Sequence, residues 1–273
     1  ELDTDLIHQF GRNGFRLFRL PIPKKGKCVG ILGPNGIGKT TAIKILSGQL
    51  APNLGELDHK DSWDEIVDYY AATELHDHFK KIQNSELSSI VKPQYVDRLP
   101  RVMKGKIKDL LKKTDTSNRF DEIVAELGLE GILEKEISVG TISGGELQLM
   151  SIAAALLKDV DLYFFDEPSS YLDIHQRLKV ARIIKKLSET KKVMVIEHDL
   201  AILDFLADSV HLMYGNEGAY GVVTHPRGVR HAINTYLSGY LSEENIRFGE
   251  KIEFFDHPPK QRQELSILIS YGP

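Results

Sequence analysis

Only one cysteine, Cys28, occurs in the 273 residues. That excludes an intrachain disulfide framework and any four-thiolate zinc or iron–sulfur site. No stretch approaches 18 consecutive apolar residues, so nothing reads as a membrane-spanning helix. No basic-then-apolar leader opens the chain, so no secretory signal is expected and the expected compartment is cytoplasmic. An excess of basic charge is also lacking: 35 Lys and Arg stand against 39 Asp and Glu, a net charge of −4. This argues against a general affinity for nucleic acid, while leaving room for a local basic patch. Hydrophobic residues at 41% and charged residues at 27% suit a folded domain with a sizeable core. The sequence starts Glu1-Leu2-Asp3 and stops just after the apolar run Leu265–Ile269, which reads as part of a longer protein.

Strand and helix patterns alternate along most of the chain. Residues 5–23 alternate weakly and end in Pro21 and Pro23, as paired edge strands do. Cys28–Leu32, Leu162–Phe165 and Val193–Ile196 are short apolar runs expected as buried parallel strands, with a last strand over 209–213. Helices are expected after Lys39, in two stretches within 62–91, within 104–135, and over 145–158, 174–188 and 199–207. Such alternation implies an α/β fold with helices on both sheet faces. Residues 214–260 are rich in Gly, Pro and Tyr and are not expected to continue it.

Between the first buried strand and its helix lies Gly33-Pro34-Asn35-Gly36-Ile37-Gly38-Lys39-Thr40, a phosphate-binding loop by spacing and by context. Its glycines let the backbone N–H groups turn inward on phosphate, and the following helix adds its positive end. Lys39 is placed to reach the β- and γ-phosphates, and the Thr40 hydroxyl to hold Mg²⁺. The 162–165 strand ends in Asp166 and Glu167. Asp166 is expected to anchor Mg²⁺ and Glu167 to orient and deprotonate the attacking water. Ser143-Gly144-Gly145-Glu146 reads on its own as a capping box starting a helix. Cys28 reads as core packing.

The order of these elements resembles the ATP-binding-cassette (ABC) ATPases over about residues 5–213: phosphate loop, Gln94, the signature-like run Ile142-Ser143-Gly144-Gly145-Glu146-Leu147-Gln148, Asp166-Glu167, Ser170-Tyr171-Leu172-Asp173, His198. The resemblance implies a P-loop NTPase of ABC type, with a mostly parallel sheet core, an antiparallel β subdomain and a helical subdomain. It makes Phe10 and Phe15 the aromatic platform for adenine. Asn35, Gly36, Gly38, Lys39, Thr40 and Thr41 become the nucleotide cradle, and Thr40, Gln94 and Asp166 the Mg²⁺ site. Glu167 and His198 become the catalytic pair. Ser143, Gly144, Gly145 and Glu146 become the signature that completes a partner domain's site across a two-domain sandwich. Ser170, Leu172 and Asp173 become the loop coupling the opposed sites. ATP or ADP with Mg²⁺ is the implied ligand.

Within that family, several stretches are similar to subfamily E, the ribosome-recycling twin ATPases also called RNase L inhibitors. They are Ile90–Asp97, Phe165–Asp173, Gln176–Lys179, Tyr214-Gly215, Ala219–Thr224, Gly228–Arg230 and Glu244–Phe248; Ile142, where Leu is usual, departs mildly. This resemblance implies a first ATPase domain over 1–213, with a helix–loop–helix insert near 62–91 and a helical subdomain near 100–158. A hinge over 214–255 and a linker over 256–273 toward a second ATPase domain would follow. It also implies iron–sulfur clusters in an N-terminal domain not contained in this chain. The implied function is ATP-driven splitting of ribosomes; the implied partners are the second ATPase domain, the small ribosomal subunit and a release or rescue factor, with no membrane. A transporter's ATPase subunit, or an ATP-gated clamp with little hydrolysis, are the alternatives. The insert carries Asp64, Glu65, Asp68, Glu74, Asp77 and Glu86 against Lys80 and Lys81. Residues 92–113 carry Lys92, Arg98, Arg101, Lys104, Lys106, Lys108, Lys112 and Lys113 against Asp97 and Asp109. That basic stretch is either a strip facing ribosomal RNA or a solvated helix face.

Overall fold

The structure, a computed structural model, describes residues 5–58, 62–241 and 246–247. Strands β1 (Leu6–Gln9) and β2 (Arg16–Phe18) pair antiparallel. The turn between them is closed by Phe10 N donating to Phe15 O at 3.0 Å. β3 (Cys28–Leu32) is buried throughout and leads through the glycine loop into α1 (Lys39–Leu46). Next come α2 (Trp63–Tyr69), α3 (His76–Gln83) and β4 (Ser89–Lys92). A helical region follows, with α4 (Leu99–Val102), α5 (Ile107–Thr114), α6 (Phe120–Leu127) and α7 (Gly144–Leu157). The chain then alternates through β5 (Leu162–Asp166), α8 (Ile174–Ser188), β6 (Lys192–Ile196), α9 (Leu200–Leu206) and β7 (Ser209–Asn216). β8 (Tyr220–Val223), β9 (Arg227–Gly228), α10 (Val229–Ser238) and a short antiparallel pair, β10 (Tyr240–Leu241) with β11 (Ile246–Arg247), end it.

The main sheet has the order β1-β2-β8-β7-β3-β6-β5-β4 with β9 on β7. β7, β3, β6, β5 and β4 run parallel, and β1–β2 and β7–β8 supply the antiparallel part. Side-chain alternation divides the core. Cys28, Tyr163, Phe165, Val193 and Val195 share one cluster with Ile107, Leu111, Ile123 and the buried face of α7. Val29, Ile31, Leu162, Phe164, Met194 and Ile196 share another with Ala42, Ile66 and Phe79. Each fully buried large side chain stabilises the fold by about 1.5–3 kcal/mol before entropy is counted. Because β3, β4, β5 and β6 point the same way, their carboxyl ends come out along one edge, where ligands bind in open α/β sheets.

Four expectations change. The second helical stretch of the insert stops at Gln83, and Ser89–Lys92 form β4, parallel to β5. The short apolar pair Ile90-Val91 gave too weak a strand signal between two serines and a lysine. Lys92 is only 1% exposed, so it cannot belong to an RNA-facing strip. The boundary at 213 falls inside β7, and β8 pairs with both β7 and β2, so residues 214–223 complete the sheet. Residues 229–238 form a helix, with Val229, Ala232, Ile233, Tyr236 and Leu237 packed on α9 and β7. Of the expected hinge, residues 242–245 and 248–255 lie outside the described residues, as does the whole 256–273 linker.

Candidate active site

The loop after β3 needs its glycines. Gly36 and Gly38 have φ of +75° and +97°, where any side chain is strained. A Cβ on Gly38 would sit 2.8 Å from the Phe15 ring. Gly38 caps α1 without a side-chain hydrogen bond, which leaves N–H groups at the helix start for a ligand. The Lys39 ammonium, 8% exposed, donates to Gly33 O at 2.9 Å. Burial lowers its pKa, and the nearby Asp166 and Glu167 charges work against that shift.

A cavity of ≈ 380 Å³ opens over this loop, lined by Phe10, Phe15, Asn35, Gly36, Gly38, Lys39, Thr40, Thr41, Gln94, Tyr95, Asp166, Glu167 and Ile196. Every residue expected in the cradle is here. Thr40 and Asp166 share the cavity, one hydroxyl and one carboxylate, an oxygen set of the kind Mg²⁺ takes beside phosphates.

Glu167 leaves β5 in a left-handed conformation, φ +50°. Its Oε1 accepts from Gln94 Nε2 at 2.9 Å and lies 2.9 Å from His198 Nε2. Ser170 Oγ lies 3.3 Å from the other oxygen. The carboxylate assigns the hydrogen to Nε2 of His198, whose position also falls 3.3 Å from Lys39 Nζ. The two adjacent acids are driven apart. The His198 hydrogen bond holds Glu167 below the usual carboxylate range. Burial, helped by the Glu167 charge, pushes Asp166 up to about 6.

Four further residues are built into the site, to none of which the sequence assigned a role there. Tyr95, following Gln94, lines the cavity with Arg98 stacked on its ring at 4.7 Å. Lys92 donates from Nζ to Asp166 O at 3.0 Å. Gln148, fully buried on α7, donates from Nε2 to Glu167 O at 2.8 Å. Glu197, 2% exposed, accepts from Ser169 Oγ (2.8 Å) and from the N–H groups of Ser169, His198 and Asp199 (3.3, 3.1 and 3.2 Å). Burial nonetheless pushes Glu197 up to about 7. The available signals were adjacency to Gln94 and His198 for Tyr95 and Glu197, the strand end two residues before Gln94 for Lys92, and the signature-like run for Gln148.

Ser143 stands elsewhere. It caps α7 by accepting from Glu146 N at 3.1 Å, and Glu146 Oε1 accepts from Ser143 N at 3.0 Å. None of residues 143–146 lines the cavity. A Cβ on Gly144 would lie 2.9 Å from the Tyr171 ring and one on Gly145 3.1 Å from Tyr171 O, so the 170–173 loop rests on the start of α7. Leu172 is buried and its carbonyl accepts from Arg177 Nε at 3.0 Å; Asp173 caps α8. Arg177 also pairs with Asp199 at 2.8 Å. The described residues contain no helix long and apolar enough to cross a membrane.

This arrangement defines an ABC-type ATPase domain. Residues 22–170 match the family described as ABC transporter, over more than half the chain, and the chain belongs to that family. An uncharacterised ABC transporter ATP-binding protein of Methanocaldococcus jannaschii is 50% identical, over 100% of this chain and 45% of that protein. Translation initiation factor rli1 of Schizosaccharomyces pombe is 45% identical, over 90% of this chain and 42% of that protein. A solved structure of ribosome-bound archaeal Pelota and ABCE1 superposes with a TM-score of 0.87 at 54% identity, covering 93% of this chain and 42% of that one. The chain therefore spans less than half the length of these relatives.

Proposed function

We propose that this domain binds ATP with Mg²⁺ and hydrolyses it in a site completed by a second ATPase domain, and that closure of the pair splits ribosomes into subunits. The observation that carries the chemistry is the Glu167 carboxylate, held ionised by His198 and fixed by Gln94 in the cavity that Lys39 and Thr40 line. The half-exposed Phe10 ring and Phe15 offer stacking surface to the base. The loop N–H groups and the Lys39 ammonium hold the phosphates. Thr40, Asp166 and the amide oxygen of Gln94 would hold Mg²⁺, which would neutralise charge on the β- and γ-phosphate oxygens. Glu167 orients water and takes its proton as the water oxygen attacks the γ-phosphorus, while the bond from that phosphorus to the β,γ-bridging oxygen breaks and ADP leaves with the bridging oxygen. His198 donates from Nε2 to the Glu167 carboxylate and so fixes it beside the Lys39 ammonium, where the γ-phosphate would lie.

Ser143, Gly144 and Gly145 lie outside the cavity, with a helix N-terminus and two glycines that a phosphate can approach closely. They fit the γ-phosphate held by a partner domain. Charge stabilisation supplied from another domain is worth roughly 10³–10⁵ in rate in comparable systems, so the isolated chain binds ATP and turns it over slowly.

Likeness to a translation initiation factor and to ribosome-bound ABCE1 supports a ribosomal role in the cytoplasm. Partners would be the small subunit and a rescue factor such as the Pelota found in that structure. Exposed Arg101, Lys104, Lys112 and Lys113 remain candidates for RNA phosphate. The acidic insert suits ribosomal protein better. Cys28 is buried and burial pushes its thiol up, so iron–sulfur ligands, which the resemblance places in an N-terminal domain, are not supplied by this chain. The test is co-sedimentation of the natural full-length protein with small ribosomal subunits. Binding that increases with a non-hydrolysable ATP analogue is expected. Nucleotide-independent sedimentation, or association with a membrane permease, would overturn the reading.

A further inference from the structure

Asp166 and Glu167 are the last residues before the chain leaves the sheet, and their backbone is held in an unusual way. Glu167 N still donates to Ile196 O at 2.8 Å, as the next rung of the ladder. The residue then turns to φ +50°, which a side chain with a Cβ adopts only when its surroundings impose it. Two buried side chains from other elements grip the two successive carbonyls. Lys92, from β4, donates to Asp166 O at 3.0 Å; Gln148, from α7, donates to Glu167 O at 2.8 Å.

Neither side chain is explained by stability alone. Lys92 is 1% exposed and Gln148 0%, and burial lowers the Lys92 pKa to about 8. Gln148 Oε1 is buried with no hydrogen-bond partner among the described residues, so the amide leaves half of its capacity unmet. Its orientation is fixed, because a carbonyl can only accept. The Glu167 carbonyl would not be orphaned without Gln148, since Ser170 N also donates to it at 3.2 Å. What Gln148 adds is direction. Ser170 lies on the same loop and moves with Glu167, whereas Gln148 stands on a 14-residue helix anchored in the core.

We infer that Lys92 and Gln148 are positioning residues which clamp the Asp166 and Glu167 carbonyls and thereby hold the Glu167 carboxylate against His198 and Gln94. This rests on the reading of Glu167 as the group that activates water. Since Ser143 caps α7, the clamp also ties the helix that would serve the partner's site to the carboxylate of this chain's own site.

The experiment uses the natural full-length protein, with Gln148→Met and Lys92→Met removing each donor at similar volume, Lys92→Arg restoring a cationic donor, and Glu167→Gln as reference. ATP affinity, the single-turnover cleavage rate and the melting temperature are read for each. Gln148→Met and Lys92→Met are expected to leave the ATP Kd within about twofold and to lower the cleavage rate about 10- to 100-fold, the scale of an ångström-sized misplacement. Lys92→Arg is expected to recover at least part of the loss. A fall in melting temperature with an unchanged cleavage rate in both Met variants would show a purely structural role and overturn the inference. If Gln148→Met does not fold, Lys92→Met and its rescue decide the matter alone. If Glu167→Gln itself cleaves at the wild-type rate, the reading of Glu167 fails first, separately from the clamp.

Discussion

Replacing Lys39 with alanine tests the cradle where the structure is most specific. The Lys39 ammonium is nearly buried, is tied to Gly33 O at 2.9 Å, and lies 3.3 Å from His198 Nε2. It has given up most of its water already, so a phosphate arriving beside it gains a charge-assisted bond without a new desolvation cost to the lysine. A hydrogen bond to a charged group is worth about 1.5–3 kcal/mol. At 1.4 kcal/mol per factor of ten, Lys39→Ala should weaken ATP binding about 10- to 150-fold. The folded state should survive the change, because burial disfavours the charged lysine and its removal relieves that cost. Titration calorimetry with ATP and Mg²⁺ reads the affinity, and a melting curve reads the fold. An ATP Kd within twofold of the wild type, in a protein that melts normally, would refute the assignment of this loop to phosphate.

Glu167→Gln should keep ATP affinity within about threefold and slow hydrolysis in the full-length protein by roughly 10²–10⁴, the usual contribution of a general base, measured as phosphate release. Asp166 is raised to about 6, so it takes up a proton in the folded state at a pH where an unfolded aspartate stays ionised. Two consequences carry opposite signs. Its contribution to nucleotide-free stability falls as pH rises from about 4 to 6. Mg²⁺-dependent ATP binding should instead weaken as pH falls through about 6, which calorimetry across pH 5–8 would show; affinity that rises toward pH 5 would contradict the metal role. Gly221→Ala should destabilise the protein by several kcal/mol, since its Cβ would stand 1.7 Å from the Ile37 carbonyl and backbone on both sides has nowhere to go. Denaturant unfolding with an unchanged midpoint would dispute the packing of β8 against the phosphate loop.

The parallel core and most of the cradle were legible because each rests on a local code. Buried strands such as Leu162–Phe165 are unbroken apolar runs, and the phosphate loop is a contiguous spacing of glycines with Lys39 and Thr40. Most of what escaped was non-local. β4 exists because β5 offers it an edge, and its two apolar residues could not announce that. α10 is the exception: its apolar residues stand at helical spacing between Gly228 and Gly239, a local signal masked by the Gly, Pro and Tyr content of the surrounding segment. Lys92 counted as a surface charge by residue type, yet the Asp166 carbonyl draws it inside. Gln148 closes the signature-like run Ile142–Gln148, but that its amide meets the Glu167 carbonyl is visible only in the fold. Capping by Ser143 and Glu146 was readable from the motif, and the resemblance implied that it serves a partner's site; residues 143–146 indeed lie outside the cavity over this chain's own phosphate loop.

The central claim is that the loop at 33–40 grips a triphosphate which this chain cannot finish enclosing by itself. A structure of the natural full-length protein with a non-hydrolysable ATP analogue and Mg²⁺ tests it most directly. The γ-phosphate should lie at Lys39 and Thr40, with Ser143 of the same domain out of reach and the equivalent helix start of a second ATPase domain against it. An empty loop, or Ser143 touching the phosphate bound by its own domain, would contradict the account.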